Sequence, residues 1–320
     1  MSAPLLAIEG LGVDFRTPLG RLRALRRVDL AVPAGAVVGV VGESGCGKST
    51  LITAVIRLLA ANAEVREGRI VFDGRDLLTL SEGAMRALRG DRMAMVFQDP
   101  MTTLNPVLTI GTQMIDIQYR LREGRDEKRR RAAAMLARVG IAEAERRLDQ
   151  YPHEFSGGMR QRIGIAMALM AEPALLLADE PTTALDATLE VQVIHLLRAL
   201  QRDFGCAILF VSHHLGVIAE LCDRVVVMYA GEVVEEGSVR AVFRTPRHPY
   251  TERLIECDPA RITRRTRTLP TIPGEIPDLV APPPGCIFVE RCHRAIARCR
   301  EEAPVLRGAG HRTACHLVGP

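Results

Sequence analysis

The sequence predicts an α/β fold with an antiparallel sheet, a helical region and a small cysteine-rich C-terminal extension. Residues 42–49 match the pattern G-x-x-x-x-G-K-[ST] between an apolar β-branched run and an apolar helical run. Residues 6–41 alternate apolar and polar side chains, as half-buried strands do. The apolar run 174–178 ends in two carboxylates, Asp179 and Glu180. Together these patterns predict strands that deliver phosphate-binding and metal-binding residues.

Residues 42–50 have the chemistry of a phosphate-binding loop. Their glycines lack the Cβ atoms that would keep backbone N–H groups from phosphates, and the helix starting near Lys48 directs its positive dipole end at them. We expect Lys48 to meet the β- and γ-phosphates and Ser49 to hold Mg²⁺. A glycine-rich turn without a ligand is disfavoured, because the pattern and both flanks agree. The expected nucleotide contacts are Gly42, Glu43, Ser44, Gly45, Cys46, Gly47, Lys48, Ser49 and Thr50.

Lysine is scarce in this chain, which sharpens the prediction for the loop. Of the 42 Lys and Arg residues only Lys48 and Lys128 are lysine. A broad, planar guanidinium does not replace a compact ammonium in a phosphate loop. We therefore expect the lysine at position 48 to be a functional requirement.

Composition favours a folded protein that neither binds nucleic acid nor spans a membrane. The chain is 48% hydrophobic and 25% charged, with a net charge of +4. Its densest basic run, 128–131, favours a solvated helix face. Aromatic residues make up 4%, without Trp, so base stacking is poorly supported. Residues 1–15 lack a signal pattern and no apolar run reaches the ~20 residues of a bilayer span, so we expect a cytoplasmic protein.

The N-terminal region is expected to form a mainly antiparallel sheet beside the loop. Turn signals divide residues 6–41 into strands, and a further strand spans 68–72. Phe15 lies on one of these strands. It is either an ordinary core residue or a platform on which an adenine ring stacks.

The middle of the chain alternates strand and helix signals. A short apolar strand, 93–97, leads to Gln98, and residues 110–150 have a helical pattern with charged and Ala-rich faces. Ser156 can cap the helix that follows it, and the two glycines after it leave the helix N–H groups accessible to an anion.

Two strand ends carry the candidate catalytic residues. The strand 174–179 ends in Asp179, which is suited to support Mg²⁺, and leads to Glu180, which is suited to polarise an attacking water. The buried strand 206–211 delivers His213 to the position of a γ-phosphate sensor. A histidine at a strand end is otherwise often structural.

Together these residues resemble the ATP-binding subunit of an ABC transporter. The family's markers occur in order: the phosphate loop, Gln98 as the Q-loop, the signature 156–161, Asp186 in the D-loop and His213 as the switch histidine. The resemblance makes nucleotide contacts of Phe15, Gln98, Ser156, Gly157, Gly158, Gln161, Asp179, Asp186 and His213.

Three further segments, 97–106, 178–186 and 246–251, resemble the subgroup of peptide importers for dipeptides, oligopeptides and nickel. His214 departs from the family pattern, which usually has Asp after the switch histidine. This difference affects the expected local geometry of the loop.

The resemblance implies an ABC-type phosphate-loop ATPase with a RecA-like core, an antiparallel β subdomain and a helical subdomain. The nucleotide-binding domain is expected over 1–255, with the helical subdomain at about 100–160, and the extension over 256–320. The implied catalytic residues are Glu180, His213, Lys48 and Gln98. The implied Mg²⁺ ligands are Ser49, Gln98 and Asp179.

The same resemblance implies an energy-coupling subunit that hydrolyses ATP to import peptides or related small solutes. Such a subunit pairs head to tail with a second ABC ATPase, identical or different. It acts on two membrane permease subunits and, through the complex, on an extracytoplasmic solute-binding protein, with no nucleic-acid partner. It would be a peripheral protein on the cytoplasmic face of the cell inner membrane.

A soluble, non-transport ABC ATPase of DNA repair or translation is the alternative function. Repair proteins of that type insert a very long coiled coil between phosphate loop and signature, and translation factors usually carry two cassettes. Here Lys48 and Ser156 are 108 positions apart (156 − 48) and one cassette is present. Both observations disfavour the alternative.

The segment after about residue 255 reads as a loop-rich appendage with its own metal centre. Its cysteines are separated by 5, 6 and 15 residues: Cys286, Cys292, Cys299 and Cys315. A reducing compartment favours metal ligation over disulfides, and the gaps exceed those of paired zinc ligands. We expect a [4Fe–4S] cluster, which the resemblance also implies. Zinc, unligated thiols and ligation by His293, His311 or His316 are the alternatives.

Overall fold

The computed structural model describes residues 3–99, 103–183, 185–259 and 269–318. The contacts divide the chain into two compact units, residues 1–79 with 210–320 and residues 80–209. Parts of the segments singled out above lie outside the described residues: Pro100, Met101, Thr102, Ala184, residues 260–268 and residues 319–320. The domain boundary expected at 255 stays a prediction.

The strands, numbered in chain order, are β1 Leu6–Thr17, β2 Gly20–Val32, β3 Val37–Val41, β4 Ala63–Phe72, β5 Arg75–Asp76, β6 Met93–Val96, β7 Leu175–Asp179, β8 Ala207–Val211, β9 Arg224–Tyr229, β10 Glu232–Ser238 and β11 Arg312–Thr313. The α-helices of the described residues are α1 Lys48–Val55, α2 Glu82–Leu88, α3 Ile110–Asp116, α4 Arg125–Arg138, α5 Ala144–Arg147, α6 Gly157–Leu169, α7 Ala187–Phe204, α8 Leu215–Leu221, α9 Val239–Arg244, α10 Pro249–Glu256 and α11 Arg298–Glu301.

An antiparallel sheet of four strands, ordered β2-β1-β4-β5, lies in the first unit. Leu6 of β1 is opposite Val32 of β2 on one side and Phe72 of β4 on the other. All three side chains are buried. The alternation that predicted these strands is therefore the alternation of a sheet with one face in the core.

The strand that leads into the phosphate loop, β3, is buried along its whole length. It pairs in parallel with β9, with Val41 opposite Val227, and β9 pairs antiparallel with β10. The short β11, from the C-terminal segment, adds to the free side of β10. Strands buried on both faces read as continuous apolar runs, which explains the valine-rich sequences of β3 and β9.

The second unit contains the parallel pair β6 and β7, with Val96 opposite Ala178. Helices α2 to α7 belong to this unit. The longest of them, α7, buries one stripe formed by Val193, Ile194, Leu197 and Leu200. That spacing of three to four residues is the pattern of an amphipathic helix.

Two predicted helical stretches are shorter or more broken in the structure. The apolar helical run that follows the phosphate loop forms α1 and ends at Val55, because Arg57 adopts a left-handed backbone conformation (φ 55°) that stops the helix. The helical region 110–150 consists of α3, α4 and α5. Gly140, with φ 78°, ends the second of these helices in the same way.

The C-terminal segment is not the separately built appendage that its composition predicts. Phe288 packs its ring against Tyr229 of β9 and Tyr250 of α10, with centroid distances of 5.1 Å and 5.4 Å. Ala314 donates a backbone hydrogen bond of 2.8 Å to Val234 of β10. The segment is loop-rich, but it buries Ile287, Phe288 and Val289 in the first unit.

No helix among the described residues combines the length and the apolar character that a bilayer span requires.

A buried histidine in the first unit makes its stability sensitive to acid. His248 is 2% exposed, and its Nδ1 accepts a 3.0 Å hydrogen bond from the backbone of Tyr250. Burial lowers the pKa of His248 from 6.5 to about 3. The unfolded chain therefore takes up this proton first, and the stabilisation is lost as pH falls from the unfolded pKa toward the folded one.

We expect His248 to account for a loss of about 3 kcal/mol in the free energy of unfolding between about pH 7 and about pH 4.5. Urea unfolding at both pH values, followed by circular dichroism, measures it. His248→Asn keeps an acceptor for the Tyr250 N–H but does not titrate, so its pH-dependent loss should be smaller by that amount. Equal losses in both proteins would contradict the prediction.

Candidate nucleotide site

The phosphate loop connects β3 to α1 and contains a tight backbone turn. Cys46 donates a backbone hydrogen bond of 3.2 Å to Glu43 O, and Gly231 donates one of 3.0 Å to Cys46 O. Ser44, Gly45 and Ser49 are exposed, whereas Cys46 is 1% exposed. The loop thus presents its middle and the start of α1 to solvent, where a phosphate group can reach them.

Two glycines are required by close backbone approach. A Cβ on Gly42 would lie 2.2 Å from the carbonyl oxygen of Met228, and one on Gly47 would lie 2.7 Å from the carbonyl oxygen of Ala24. Gly47 also has φ 102° and precedes the first turn of α1. Only glycine therefore fits at these two positions, and the cradle of backbone groups formed by residues 42–48 is suited to a nucleotide phosphate.

Lys48 lies within this cradle as the first residue of α1. It is 5% exposed, and its ammonium donates to the backbone oxygens of Gly42 at 2.9 Å and of Glu43 at 3.2 Å. The ammonium is thus held over the loop. Beside it, burial raises the pKa of the Cys46 thiol to about 11, so this cysteine is a neutral packing residue at physiological pH.

Phe15 lies in β1 opposite Leu22 of β2 and Ala63 of β4, and its side chain is half-buried. The core interpretation and the adenine platform are both compatible with this placement, so the stacking role stays a prediction.

Glu180 and Gln98 come together in the second unit. They follow the neighbouring parallel strands β7 and β6, whose carboxyl ends share one sheet edge, and the Gln98 amide donates to Glu180 Oε2 over 3.4 Å. Thr183 Oγ1 donates to the same oxygen at 3.1 Å. Asp179, the last residue of β7, is 7% exposed.

The backbone of Glu180 is left-handed, with φ 45°. This conformation costs a non-glycine residue on the order of 1–3 kcal/mol and concentrates at functional sites. With two donors on one carboxylate oxygen, it fixes the direction in which the carboxylate points. The sequence carries no signal for this strained turn.

The signature residues form the start of α6. Ser156 accepts a 3.3 Å hydrogen bond from Met159 N as the helix cap, as predicted. Gly157 is exposed with open space beside it, whereas a Cβ on Gly158 would lie 2.7 Å from Leu189 of α7. The second glycine therefore permits helix packing. Gln161 is 2% exposed.

Asp186 and His213 have local roles that the sequence patterns did not reveal. Asp186 caps α7 by accepting a 2.9 Å hydrogen bond from Leu189 N. His213 is exposed and its ring meets that of His214 edge-on at 4.3 Å. His214 precedes α8 without a side-chain cap bond. At position 214, where the family pattern usually has Asp, the structure therefore has a second histidine ring against His213.

Two residues outside the predicted site hold the phosphate loop. Tyr250 Oη accepts a 2.9 Å hydrogen bond from Glu43 N, and Arg291 forms an ion pair with the Glu43 carboxylate at 2.7 Å. Tyr250 belongs to a segment that was singled out only as a subgroup marker. Arg291 is one arginine among many, and no pattern distinguishes it.

The prediction of a [4Fe–4S] cluster is wrong, and zinc finds no support. Among the described residues, which include all four cysteines, no group of three or more His, Cys, Asp and Glu side chains is arranged to hold a metal ion. Burial raises the pKa of the Cys286 thiol to about 12, and raises those of Cys292 and Cys315 as well.

The alternative histidine ligands are engaged elsewhere or exposed. His311 Nε2 lies 2.6 Å from the buried carboxylate of Glu235, and His316 Nε2 lies 2.8 Å from Glu302 O. His293 is exposed. The physical reason for the failed prediction is the aromatic packing of Phe288, which supplies the cross-link that a metal was expected to provide.

Comparison with known proteins identified similar families and structures. A family model described as ABC transporter matches residues 25–183, and one described as oligopeptide/dipeptide transporter, C-terminal region, matches residues 234–299. Among solved structures, a dimer of the ATP-binding cassette MJ0796 bound to ADP and Pi is 28% identical, with a TM-score of 0.66 over 73% of this chain and 99% of that one. CbiO1 of Clostridium perfringens is 29% identical, with a TM-score of 0.66 over 76% and 92%.

Curated relatives match over nearly the whole length. A probable peptide ABC transporter ATP-binding protein of Sinorhizobium fredii is 49% identical over 97% of this chain and 94% of its own. The oligopeptide transport ATP-binding protein OppD of Haemophilus influenzae is 45% identical over 96% and 95%. Because the similarity includes both the cassette and the C-terminal region, this chain belongs to the family of ATP-binding proteins of peptide ABC transporters.

Proposed function

We propose that the chain is the ATP-hydrolysing subunit of an importer for peptides or related small solutes. The observation that carries the proposal is the similarity, over nearly the whole chain, to proteins named for peptide transport. This similarity includes the C-terminal region, which a generic cassette match would not cover. It favours transport over a soluble ATPase of DNA repair or translation.

In the first unit, the phosphate loop binds the phosphates of ATP. Lys48 contacts the β- and γ-phosphates from its place above the loop, and Ser49 supplies its hydroxyl to Mg²⁺. Phe15 offers a ring face to the adenine. His213 contacts the γ-phosphate, and its exposure supports that role.

In the second unit, Asp179 and Gln98 serve as further ligands of Mg²⁺, which neutralises phosphate charge when bound. Glu180 is the general base: its carboxylate is directed by Thr183 and accepts the proton of the attacking water. The signature residues and Asp186 act on the nucleotide of a paired ATPase subunit. The exposed Ser156 and Gly157 at the start of α6 support this role.

The partners follow from this function. The chain pairs with a second ATPase subunit, of the same or another sequence, and the pair drives two permease subunits that receive solute from an extracytoplasmic binding protein. The chain then lies on the cytoplasmic side of the membrane as a peripheral protein.

Replacing Lys48 tests the loop. Lys48→Arg should be nearly as damaging to MgATP binding as Lys48→Ala, because a broad, planar guanidinium does not reproduce the compact ammonium that donates to Gly42 O and Glu43 O. Isothermal titration with MgATP measures this. Lys128→Arg, the same exchange on α4, is the control. Wild-type affinity in Lys48→Arg would refute the argument.

Replacing Glu180 tests the base. Glu180→Gln should lower ATP turnover at least ~100-fold while MgATP binding persists, because an amide takes no proton and the phosphate loop is untouched. Phosphate release measures turnover, and sizing chromatography with ATP should show a trapped dimer. Glu145→Gln, an exposed glutamate of the same unit, is the control. Turnover above about a tenth of wild type would remove Glu180 from this role.

Transport itself is tested in proteoliposomes that contain the chain with its permease subunits and binding protein. Labelled peptide should accumulate only with ATP, and accumulation should vanish with Glu180→Gln. Active ATP hydrolysis without uptake of any peptide or related small solute would contradict the proposed import function.

A further inference from the structure

Glu43, the residue after the first glycine of the phosphate loop, is held through three separate groups. Its backbone N–H donates to Tyr250 Oη at 2.9 Å, and its backbone oxygen accepts from Lys48 Nζ at 3.2 Å. Its carboxylate receives both terminal nitrogens of Arg291, at 2.7 Å and 3.0 Å. Two of these contacts come from outside the loop, from α10 and from the C-terminal segment.

Arg291 is buried in a way that leaves it little freedom. Its side chain is 5% exposed. Its Nε donates to Pro273 O at 3.0 Å and its Nη2 to Ile272 O at 3.0 Å, while Nη1 also reaches Tyr229 Oη at 3.2 Å. Such a planar fork holds a carboxylate in one orientation, which a lysine cannot do.

The C-terminal segment folds so as to place this guanidinium. Arg291 ends the short 3₁₀ helix Val289–Arg291, which follows directly on the buried Phe288. Gly274 has φ 82° and lies close to the Arg291 side chain. A Cβ at this position would be 3.1 Å from Arg291 Cγ. The packing of this segment therefore determines where the Arg291 guanidinium lies, and through it where the Glu43 carboxylate lies.

We propose that Arg291 is a positioning residue of the nucleotide site, which together with Tyr250 fixes Glu43 and so sets the affinity of the phosphate loop for nucleotide phosphates. The proposal rests on the proposed function. It assigns to the segment after residue 269 a part in nucleotide binding that is exerted through Glu43.

The loop has little room to adapt if this contact is lost. Gly42 lies against Met228 O so closely that no Cβ fits, and the adjoining Glu43 oxygen orients Lys48. A displaced Glu43 therefore moves the ammonium and the N–H groups together. Removing the Glu43 carboxylate also leaves the buried Arg291 guanidinium without its counter-charge, unlike the exposed pair Arg300–Glu290 of the same segment.

The experiment measures MgATP affinity and steady-state kinetics for the full-length wild type and four variants: Arg291→Met, Glu43→Gln, the double variant and Arg300→Met. Arg291→Met should weaken binding roughly tenfold or more, with a higher KM for ATP. The double variant should bind MgATP no more weakly than the weaker-binding single variant, because the two substitutions remove the same contact. Arg300→Met is expected to match the wild type.

The KM separates positioning from simple support of the fold. If Arg291→Met only reduces the amount of folded protein, kcat per mole falls while KM is unchanged, and this result overturns the proposal. Wild-type MgATP affinity in Arg291→Met also overturns it. So does a double variant in which the losses of affinity from the two single variants add. If Arg291→Met does not fold, Arg291→Lys carries the test. Its monodentate ammonium should bind Glu43 less well and weaken MgATP binding relative to the wild type, and wild-type affinity there overturns the proposal. Absence of MgATP binding by the wild type would instead refute the proposed function.

Discussion

The structure depends most on the close approach between the phosphate loop and the end of β9. The backbone oxygen of Met228 leaves no room for a Cβ at Gly42, so only glycine fits at that point of the loop. The parallel pairing of β3 with β9 holds the two backbones at this distance. Lys48 then reaches back over the loop, and its ammonium takes its position from the loop's own carbonyl oxygens.

The same end of β9 organises the C-terminal part of the chain. Tyr229 follows Met228, and its ring contacts both Tyr250 and Phe288. This hydrophobic cluster lies next to the polar phosphate loop, so the Tyr250 hydroxyl and the Arg291 guanidinium reach loop atoms from a buried position. Both groups bind Glu43. Burial and polar satisfaction are achieved together at Glu43. The Arg291 nitrogens donate to its carboxylate and to the backbone oxygens of Pro273 and Ile272, and Tyr250 Oη accepts from Glu43 N.

In the second unit, the strained backbone turn at Glu180 determines the geometry of the site residues. Parallel pairing of β6 and β7 brings Gln98 to Glu180, and the left-handed backbone of Glu180 aims its carboxylate at the donors of Gln98 and Thr183. Strain of this kind persists only where surrounding structure over-determines it. The buried Asp179 and the apolar β7 before it supply that support.

The sequence by itself determined the loop, the strand ends and the helix cap at Ser156, because these depend on neighbouring residues: glycine spacing, apolar period and cap chemistry act over a few positions. It misjudged Cys286 and its partners, because cysteine spacing does not show whether aromatic packing already provides a cross-link. Only the tertiary structure decided that Arg291 meets Glu43, 248 positions away. One arginine among many carries no local signal, and a long-range ion pair exists only once both backbones are in place.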